Sequence, residues 1–168
     1  IRVEKNGHNV TGANITLTDG DTDYVLTLNE NGDRYRYDEV SGFHRRLALR
    51  IEAGDDRLSA QLESPGPHVI DTPEHNAQLK RDDLGDELAV EWTVEDGIKA
   101  ELLRIRVGGE EHQPDDDNGS FDRILVADID SGAQDVHLER ANRINLAGGT
   151  SRSTFELIYD ASNDFVLD

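Results

Sequence analysis

Residues 46–63 read RLALRIEAGDDRLSAQLE, and this stretch decides the fold class. In 46–52 every second residue is Leu or Ile, a turn follows at 54–56, and the alternation returns in 57–63. A period of two sends successive side chains to opposite faces of a strand, whereas a helix repeats about every 3.6 residues. The stretch therefore predicts a β-hairpin with one buried face and one wet face.

The same alternation extends along the chain on both sides of this hairpin. It predicts further strands at 13–18, 23–28, 33–38, 87–95, 98–107, 121–129 and 153–159, with a short apolar run at 165–167. Asp96-Gly97 between two of these runs predicts a second hairpin, in which glutamates of 87–95 face arginines of 98–107. Helical signals are weaker. Thr72-Pro73-Glu74 predicts a short helix over 73–82, and 135–146 has a weak helical period.

These strands define the expected fold class. About nine or ten strands, often spaced about 8–12 residues apart, are typical of β-sandwiches and barrels. We expect an all-β fold, a single antiparallel β-sandwich or jelly roll with at most one or two short helices. The length of 168 residues fits one domain over 1–168, since the sequence has neither an internal repeat nor a linker.

The chain is strongly acidic, with 36 Asp and Glu against 17 Lys and Arg, a net charge of −19. Acidic residues occur in nearly every block of ten, and arginine outnumbers lysine 14 to 3. Repulsion of this size is screened in molar salt, where the Debye length is about 3 Å. The composition resembles that of proteins from extreme halophiles, above all haloarchaea. It predicts a fold that needs concentrated salt. The alternative interpretation is an ordinary acidic protein of a mesophile.

The charge and hydropathy also exclude some partners. A nucleic-acid binder needs a basic face for phosphate, so no nucleic-acid partner is expected. No apolar run approaches the roughly 18 residues of a membrane-spanning segment. The chain has no cysteine, so disulfides and thiol chemistry are excluded. Three asparagines, Asn9, Asn14 and Asn118, lie in N-x-[ST] sequons, which favours an exported glycoprotein at the cell surface.

Asp-rich turns are the candidate metal sites. Calcium takes six to eight oxygen ligands, and closely spaced carboxylates in loops supply them. The candidate ligands for Ca²⁺ are Asp115, Asp116, Asp117, Asp122, Asp128 and Asp130. The alternative interpretation is that an acidic chain makes such turns by chance, since none completes the EF-hand pattern. No cofactor is otherwise required.

Signals of catalysis and of sugar binding are sparse. The sequence has no G-x-S-x-G, no S-x-x-K and no phosphate-binding loop, so we expect no enzymatic activity. Among 36 acids a pair of glycosidase carboxylates can be neither identified nor excluded. Tyr35 and Tyr37 lie two apart and could begin an aromatic row for a sugar, although alternating tyrosines also form the edge of a core.

Apolar residues at both ends of the chain are candidate subunit contacts: Ile1, Val3, Phe165, Val166 and Leu167. In one interpretation they form edge strands of their own sheet. In the other, a terminal strand completes the sheet of a neighbouring copy by donor-strand complementation, which gives a head-to-tail polymer.

The sequence thus favours a non-catalytic extracellular structural protein of a halophilic archaeon. It would be a subunit of a surface filament, or a component of the cell envelope or of a virion surface, and would self-associate. The alternatives are a module of a larger exported protein that binds carbohydrate or Ca²⁺, and a small polysaccharide hydrolase.

Overall fold

The computed structural model describes residues 1, 3–5, 8–32, 34–36, 46–94, 99–150 and 153–168. Strands make up 64% and helices 5%, so the predicted all-β class is confirmed. The described residues form fifteen strands, several of only two or three residues, so the expected number of nine or ten is not confirmed.

The strands and the helix follow one another in this order: β1 (Glu4–Lys5), β2 (His8–Asn9), β3 (Asn14–Asp19), β4 (Thr22–Leu28), β5 (Tyr35–Arg36), β6 (Arg46–Ala53), β7 (Asp56–Glu63), β8 (His68–Thr72), β9 (Ala77–Leu79), α1 (Arg81–Leu84), β10 (Glu87–Val94), β11 (Leu102–Val107), β12 (Glu110–His112), β13 (Ser120–Leu125), β14 (Gly132–Asn145) and β15 (Thr154–Leu167). They form four sheets, ordered β1-β2, β5-β4-β3-β6-β7, β13-β10-β8 and β12-β11-β14-β15-β9.

The chain divides into two compact units. Unit 1 comprises Ile1–Ser64 and Arg143–Glu156, and unit 2 comprises Pro65–Asn142 and Leu157–Asp168. Strands β14 and β15 therefore contribute residues to both units. The expectation of a single sandwich domain stays a prediction.

Unit 1 contains the hairpin predicted from residues 46–63, and that prediction is confirmed. Strands β6 and β7 pair antiparallel from Arg46↔Glu63 to Ala53↔Asp56, and β3 pairs with β6 on the other side. One face of this sheet is buried through Ile15, Leu17, Leu47, Leu49, Ile51 and Leu62. Hydroxyl and charged side chains alternate with them on the opposite face, as a half-buried sheet requires.

A short segment after β14 covers part of the edge of β7. Ser59 and Ala147 exchange two backbone hydrogen bonds, of 2.8 and 3.1 Å. The next residue, Gly148, has φ +81°, and a Cβ there would lie 2.3 Å from the carbonyl oxygen of Arg57. Only glycine fits this position, because both the backbone angle and the space exclude a side chain.

In unit 2, side chains from two sheets form one hydrophobic cluster. Strand β10 supplies Leu88, Val90 and Trp92 from the three-stranded sheet. The five-stranded sheet contributes Leu103, Ile105, Val107, Val136, Leu138, Phe165 and Leu167. Strand β15 pairs parallel with β9, so the expectation of a wholly antiparallel fold is wrong at this pair.

The second predicted hairpin is wrong. Strand β10 pairs with β8 and β13, whereas β11 pairs with β12 and β14 in the other sheet. The turn at Asp96-Gly97 lies outside the described residues. Arg104 does not face a glutamate of β10. Its Nε donates instead to Glu139 Oε2 on β14, at 2.5 Å. The polar partners that suggested a hairpin are thus found in a different strand.

The two helical predictions are also wrong. Within 73–82 the chain forms a turn and β9, and α1 begins only at Arg81. Residues 135–146 lie almost wholly in β14, whose alternation is disguised because Arg140 and Asn142 occupy buried positions. Pairing with strands distant in the chain overrides the weak local signals. Within the described ranges, no helix is long and apolar enough to cross a membrane.

The close approach at Gly148 can be tested by substitution. We expect Gly148→Ala to lower the free energy of unfolding by about 3 kcal/mol, because it adds a backbone clash to the cost of a positive φ. Gly20 is the control, since its φ is +59° but no atom lies within 4 Å of the added Cβ. Gly20→Ala should cost only about 1 kcal/mol in chemical denaturation. Equal losses in the two variants would contradict the packing described here.

Candidate functional site

Two buried side chains of opposite charge meet in unit 2. Arg140 on β14 and Asp117, in the loop before β13, form an ion pair whose side chains are 0% and 1% exposed. Trp92 on β10 completes the group, which we call the Asp117 cluster. The loop supplies the carboxylate and the two sheets supply its partners.

Each polar atom of the cluster's ion pair is used. The guanidinium of Arg140 donates to Asp117 Oδ2 from Nε at 3.1 Å and from Nη2 at 2.5 Å. Its Nη1 donates to the carbonyl oxygens of Pro65 and Gly66. Asp117 also accepts bonds from the Trp92 indole at 2.9 Å and from the Ala100 amide at 2.7 Å. Buried charges persist only when paired and bonded in this way.

These contacts determine the charge state of the cluster. Burial by itself would raise the pKa of Asp117, but the hydrogen bonds from Arg140, Ala100 and Trp92 and the charge of Arg140 outweigh it. The pKa of Asp117 therefore lies below its ordinary value. The ionised carboxylate of Asp117 thus holds together the chain segments of Trp92, Ala100 and Arg140. Because it is buried and fully hydrogen-bonded, it is poorly suited to general acid–base chemistry.

His68 lies next to this cluster and was not predicted as a functional residue. Its ring Nε2 lies 3.0 Å from the carbonyl oxygen of Leu138, and the residue is buried. Burial is the main reason why the pKa of His68 lies below its ordinary value, and the charge of Arg140 adds to the effect. The neutral ring with its proton on Nε2 satisfies the Leu138 carbonyl.

The predicted calcium ligands are spread over different surroundings. Asp117 belongs to the buried cluster, and Asp116 pairs with Lys99 at 3.0 Å. The other four are exposed: Asp115 in the loop, Asp122 on β13, Asp128 in the turn 126–128, and Asp130 after it. Among the described residues, no group of three His, Asp or Glu side chains is arranged to hold a metal ion. The calcium site stays a prediction.

The three sequon asparagines are accessible. Asn9 lies on β2, Asn14 at the start of β3, and Asn118 in the loop beside Asp117, and all three are exposed. The side-chain oxygen of Asn118 accepts a bond from the Ser120 amide at 3.1 Å. Accessibility is what a glycan attachment site requires, and the modification itself stays a prediction.

The terminal residues pair within the chain. The amino group and carbonyl of Ile1 bond to the backbone of Tyr35, at 2.7 Å each, and the carbonyl of Val3 accepts from Val10. Phe165 and Leu167 belong to the core of unit 2, and Val166 lies between them in the β15–β9 ladder. These contacts match the interpretation in which the ends join their own sheets, and they lend no support to strand exchange.

Tyr35 does not begin an aromatic row for a sugar. Its ring is buried, its hydroxyl donates to Val10 O at 2.9 Å, and it accepts from the Ala13 amide at 2.8 Å. The tyrosine is thus a bonded core residue of unit 1. Tyr37, the other predicted member of the row, lies outside the described residues.

A concave surface of about 710 Å³ lies on the wet face of the unit 1 sheet. We call it the unit 1 trough. Its polar lining comprises Thr16, Thr18, Asp23, Arg50, Gln61 and Asn145. Short side chains, among them Ala48 and Ser59, also line the trough, which is why the sheet is hollow there. Sequence reasoning missed this site because it lacks a motif and depends on three neighbouring strands.

Comparison with known proteins adds little to this description. No protein-family model and no curated protein matches the sequence. The chain is similar to a solved structure described as a Ca²⁺-stabilized adhesin that helps an Antarctic bacterium reach out and bind ice, with a TM-score of 0.36 and 15% identity. The match covers 96% of this chain and 42% of that chain. A likeness this weak indicates neither a shared fold nor a shared activity.

Removal of one charge from the Asp117 cluster should strongly lower the stability of the folded protein. We expect Asp117→Asn to lower the free energy of unfolding by about 3–5 kcal/mol, because it leaves the Arg140 charge buried without a counter-charge. Asp116→Asn is the matched control, since its ion pair with Lys99 is exposed at 62% and 67%. It should cost about 1 kcal/mol or less in chemical denaturation. The interpretation fails if the two variants are equally stable.

His68 should make the protein less stable in mild acid. Because its pKa is lower in the folded than in the unfolded chain, the unfolded chain binds the proton more tightly. The free energy of unfolding then falls as pH drops below about 6.5, at no more than about 1.4 kcal/mol per pH unit, until the folded pKa is passed. His68→Gln should reduce this slope, measured by denaturation between about pH 7.5 and 5.5.

Proposed function

We propose that this chain is a non-catalytic, salt-adapted structural β-module exposed on the surface of a halophilic archaeon or of its virus. The proposal includes the two-layer sandwich form for unit 2, whose two sheets contribute to one apolar cluster. It places the module outside the cell, in the cell envelope or on a virion. The distribution of charge in the molecule carries the argument.

The acidity is concentrated in unit 2, although acidic residues occur along the whole sequence. Unit 1 contains 13 acidic and 10 basic residues, a net charge of −3. Unit 2 contains 23 acidic and 7 basic residues, a net charge of −16. Among the described acidic residues of unit 2, Asp117 alone is buried. The remaining carboxylates face water, where concentrated salt screens their mutual repulsion.

The buried polar groups support a structural role. Arg140 and Asp117 bind backbone groups and each other, and Asn142 accepts from the Glu101 amide at 2.9 Å. The guanidinium of Arg81 likewise donates hydrogen bonds to the carbonyl oxygens of Val126 and Ile129. Each of these side chains binds the backbone of another segment. They stabilise the fold instead of facing a substrate.

Export is supported by the exposure of the asparagines of the three sequons. Assembly into a filament receives no such support, because the C-terminal strand lies in its own sheet between β14 and β9. The proposal therefore favours an envelope or virion component over a polymer built by donor-strand complementation.

The proposal predicts an uneven response to salt. Between about 0.1 M and about 1 M KCl the Debye length falls from about 10 Å to about 3 Å. Amides of unit 2 should gain at least about tenfold in protection from hydrogen exchange, because repulsion among its carboxylates is relieved. Amides of unit 1 should gain no more than about threefold. Exchange of the full chain, read by mass spectrometry of peptides from each unit, gives both values.

Two outcomes would contradict the proposal. Protection that does not change with salt in either unit would remove the halophilic adaptation, and equal gains would remove its concentration in unit 2. The placement outside the cell is tested on native material by intact-mass measurement. Glycan mass at Asn9, Asn14 or Asn118 supports export, and an unmodified mass counts against the glycoprotein part of the proposal.

A further inference from the structure

We propose that the unit 1 trough binds a short acidic oligosaccharide, with a sugar carboxylate held by Arg50. This goes beyond the structural role proposed above and rests on different residues. The trough lies wholly within unit 1, on the face of β3, β6 and β7 that is turned away from the buried face.

The register of the strands places the binding groups in rows. One row runs across three strands as Thr16↔Arg50↔Ser59. The next row runs as Thr18↔Ala48↔Gln61. Because Ala48 is the smallest member of these rows, it leaves the hollow between the longer side chains. The volume of about 710 Å³ lies within the range of small-ligand sites, which is about 300–1,000 Å³.

The lining suits a ligand that carries many hydroxyls. Thr16, Ser59 and Gln61 each offer a donor and an acceptor, and so does each hydroxyl of a sugar. Thr18 donates to Asp23 at 2.7 Å, which fixes the orientation of this carboxylate in the lining of the trough. Ile144 borders the site with 40% of its surface exposed, and it offers an apolar contact for the C–H face of a sugar ring.

Arg50 supplies the preference for an acid. On the same face Arg46 pairs with Glu63 at 3.4 Å, and Arg57 lies 3.9 Å from Glu52. Arg50 lies between them in the ladder, yet no carboxylate of the described residues is within 4 Å of its guanidinium. In a chain with 36 acidic residues, an arginine left unpaired in a hollow is available for a carboxylate, which it can bind through two parallel hydrogen bonds.

The charge of unit 1 permits an anionic ligand. Its net charge is −3 from 13 acidic and 10 basic residues, so repulsion of an acidic sugar is modest. Molar salt screens what remains, including the field of the more acidic unit, beyond about 3 Å. The direct contact with Arg50 is shorter than this length and is screened much less.

The test is calorimetry of the full chain in molar KCl with uronate tetramers, namely oligogalacturonate, oligomannuronate and oligoguluronate. At least one should bind, and the corresponding neutral hexose tetramer should bind at least tenfold more weakly. Arg50→Ala should raise the Kd of that uronate at least tenfold. Arg57→Ala removes the same charge from the same sheet face outside the trough and should change the Kd less than twofold.

A second variant tests the shape of the trough without changing its charge. Ala48→Gln fills the hollow without altering any charge and should also raise the Kd at least tenfold, with circular dichroism confirming that the fold is retained. The proposal is overturned if none of the uronates binds, if Arg50→Ala and Arg57→Ala behave alike, or if the neutral tetramer binds as tightly. None of these results bears on the salt response of unit 2, so the two proposals fail separately.

Discussion

The ion pair between Arg140 and Asp117 is the constraint on which unit 2 depends. Neither charge has access to water, so each is tolerable only because the other is present. The pair also binds the backbone at Pro65, Gly66 and Ala100, which come from separate parts of the chain. One interaction thus joins the entry to β8, the approach to β11 and the loop before β13. A purely apolar core would not specify these neighbours so narrowly.

The two units differ in net charge and in how far their charged side chains are paired. Unit 2 carries a net charge of −16, whereas unit 1 has a net charge of −3 and pairs arginines with nearby glutamates such as Glu52 and Glu63. A nearly neutral wet face is compatible with contact to another molecule, because fewer hydrated carboxylates must be stripped of water. The two units therefore differ in surface charge, although both are built from the same kind of alternating strand.

The sequence allowed the local elements to be predicted where the alternation is undisturbed. The β6–β7 hairpin and the strands β3, β4 and β10 follow directly from apolar or aromatic residues at every second position. Strand β14 was not predicted, because Arg140 and Asn142 occupy buried positions at which an alternating pattern requires apolar residues. The pairing of strands could not be predicted for a different reason: β15 pairs with β9, which lies more than eighty residues earlier in the chain. The sequence pointed to Asp117 only as a candidate calcium ligand, whereas its pairing with Arg140 depends on a residue more than twenty positions away and has no local signal.

The position of β15 determines when the five-stranded sheet can form. Its residues lie between β14 and the edge strand β9 in the five-stranded sheet, and Phe165 and Leu167 belong to the hydrophobic cluster of unit 2. A ribosome must therefore synthesise the chain as far as residue 167 before that sheet can close. Contacts of such long sequence separation form slowly, so on the ribosome the five-stranded sheet closes later than local hairpins such as β6–β7.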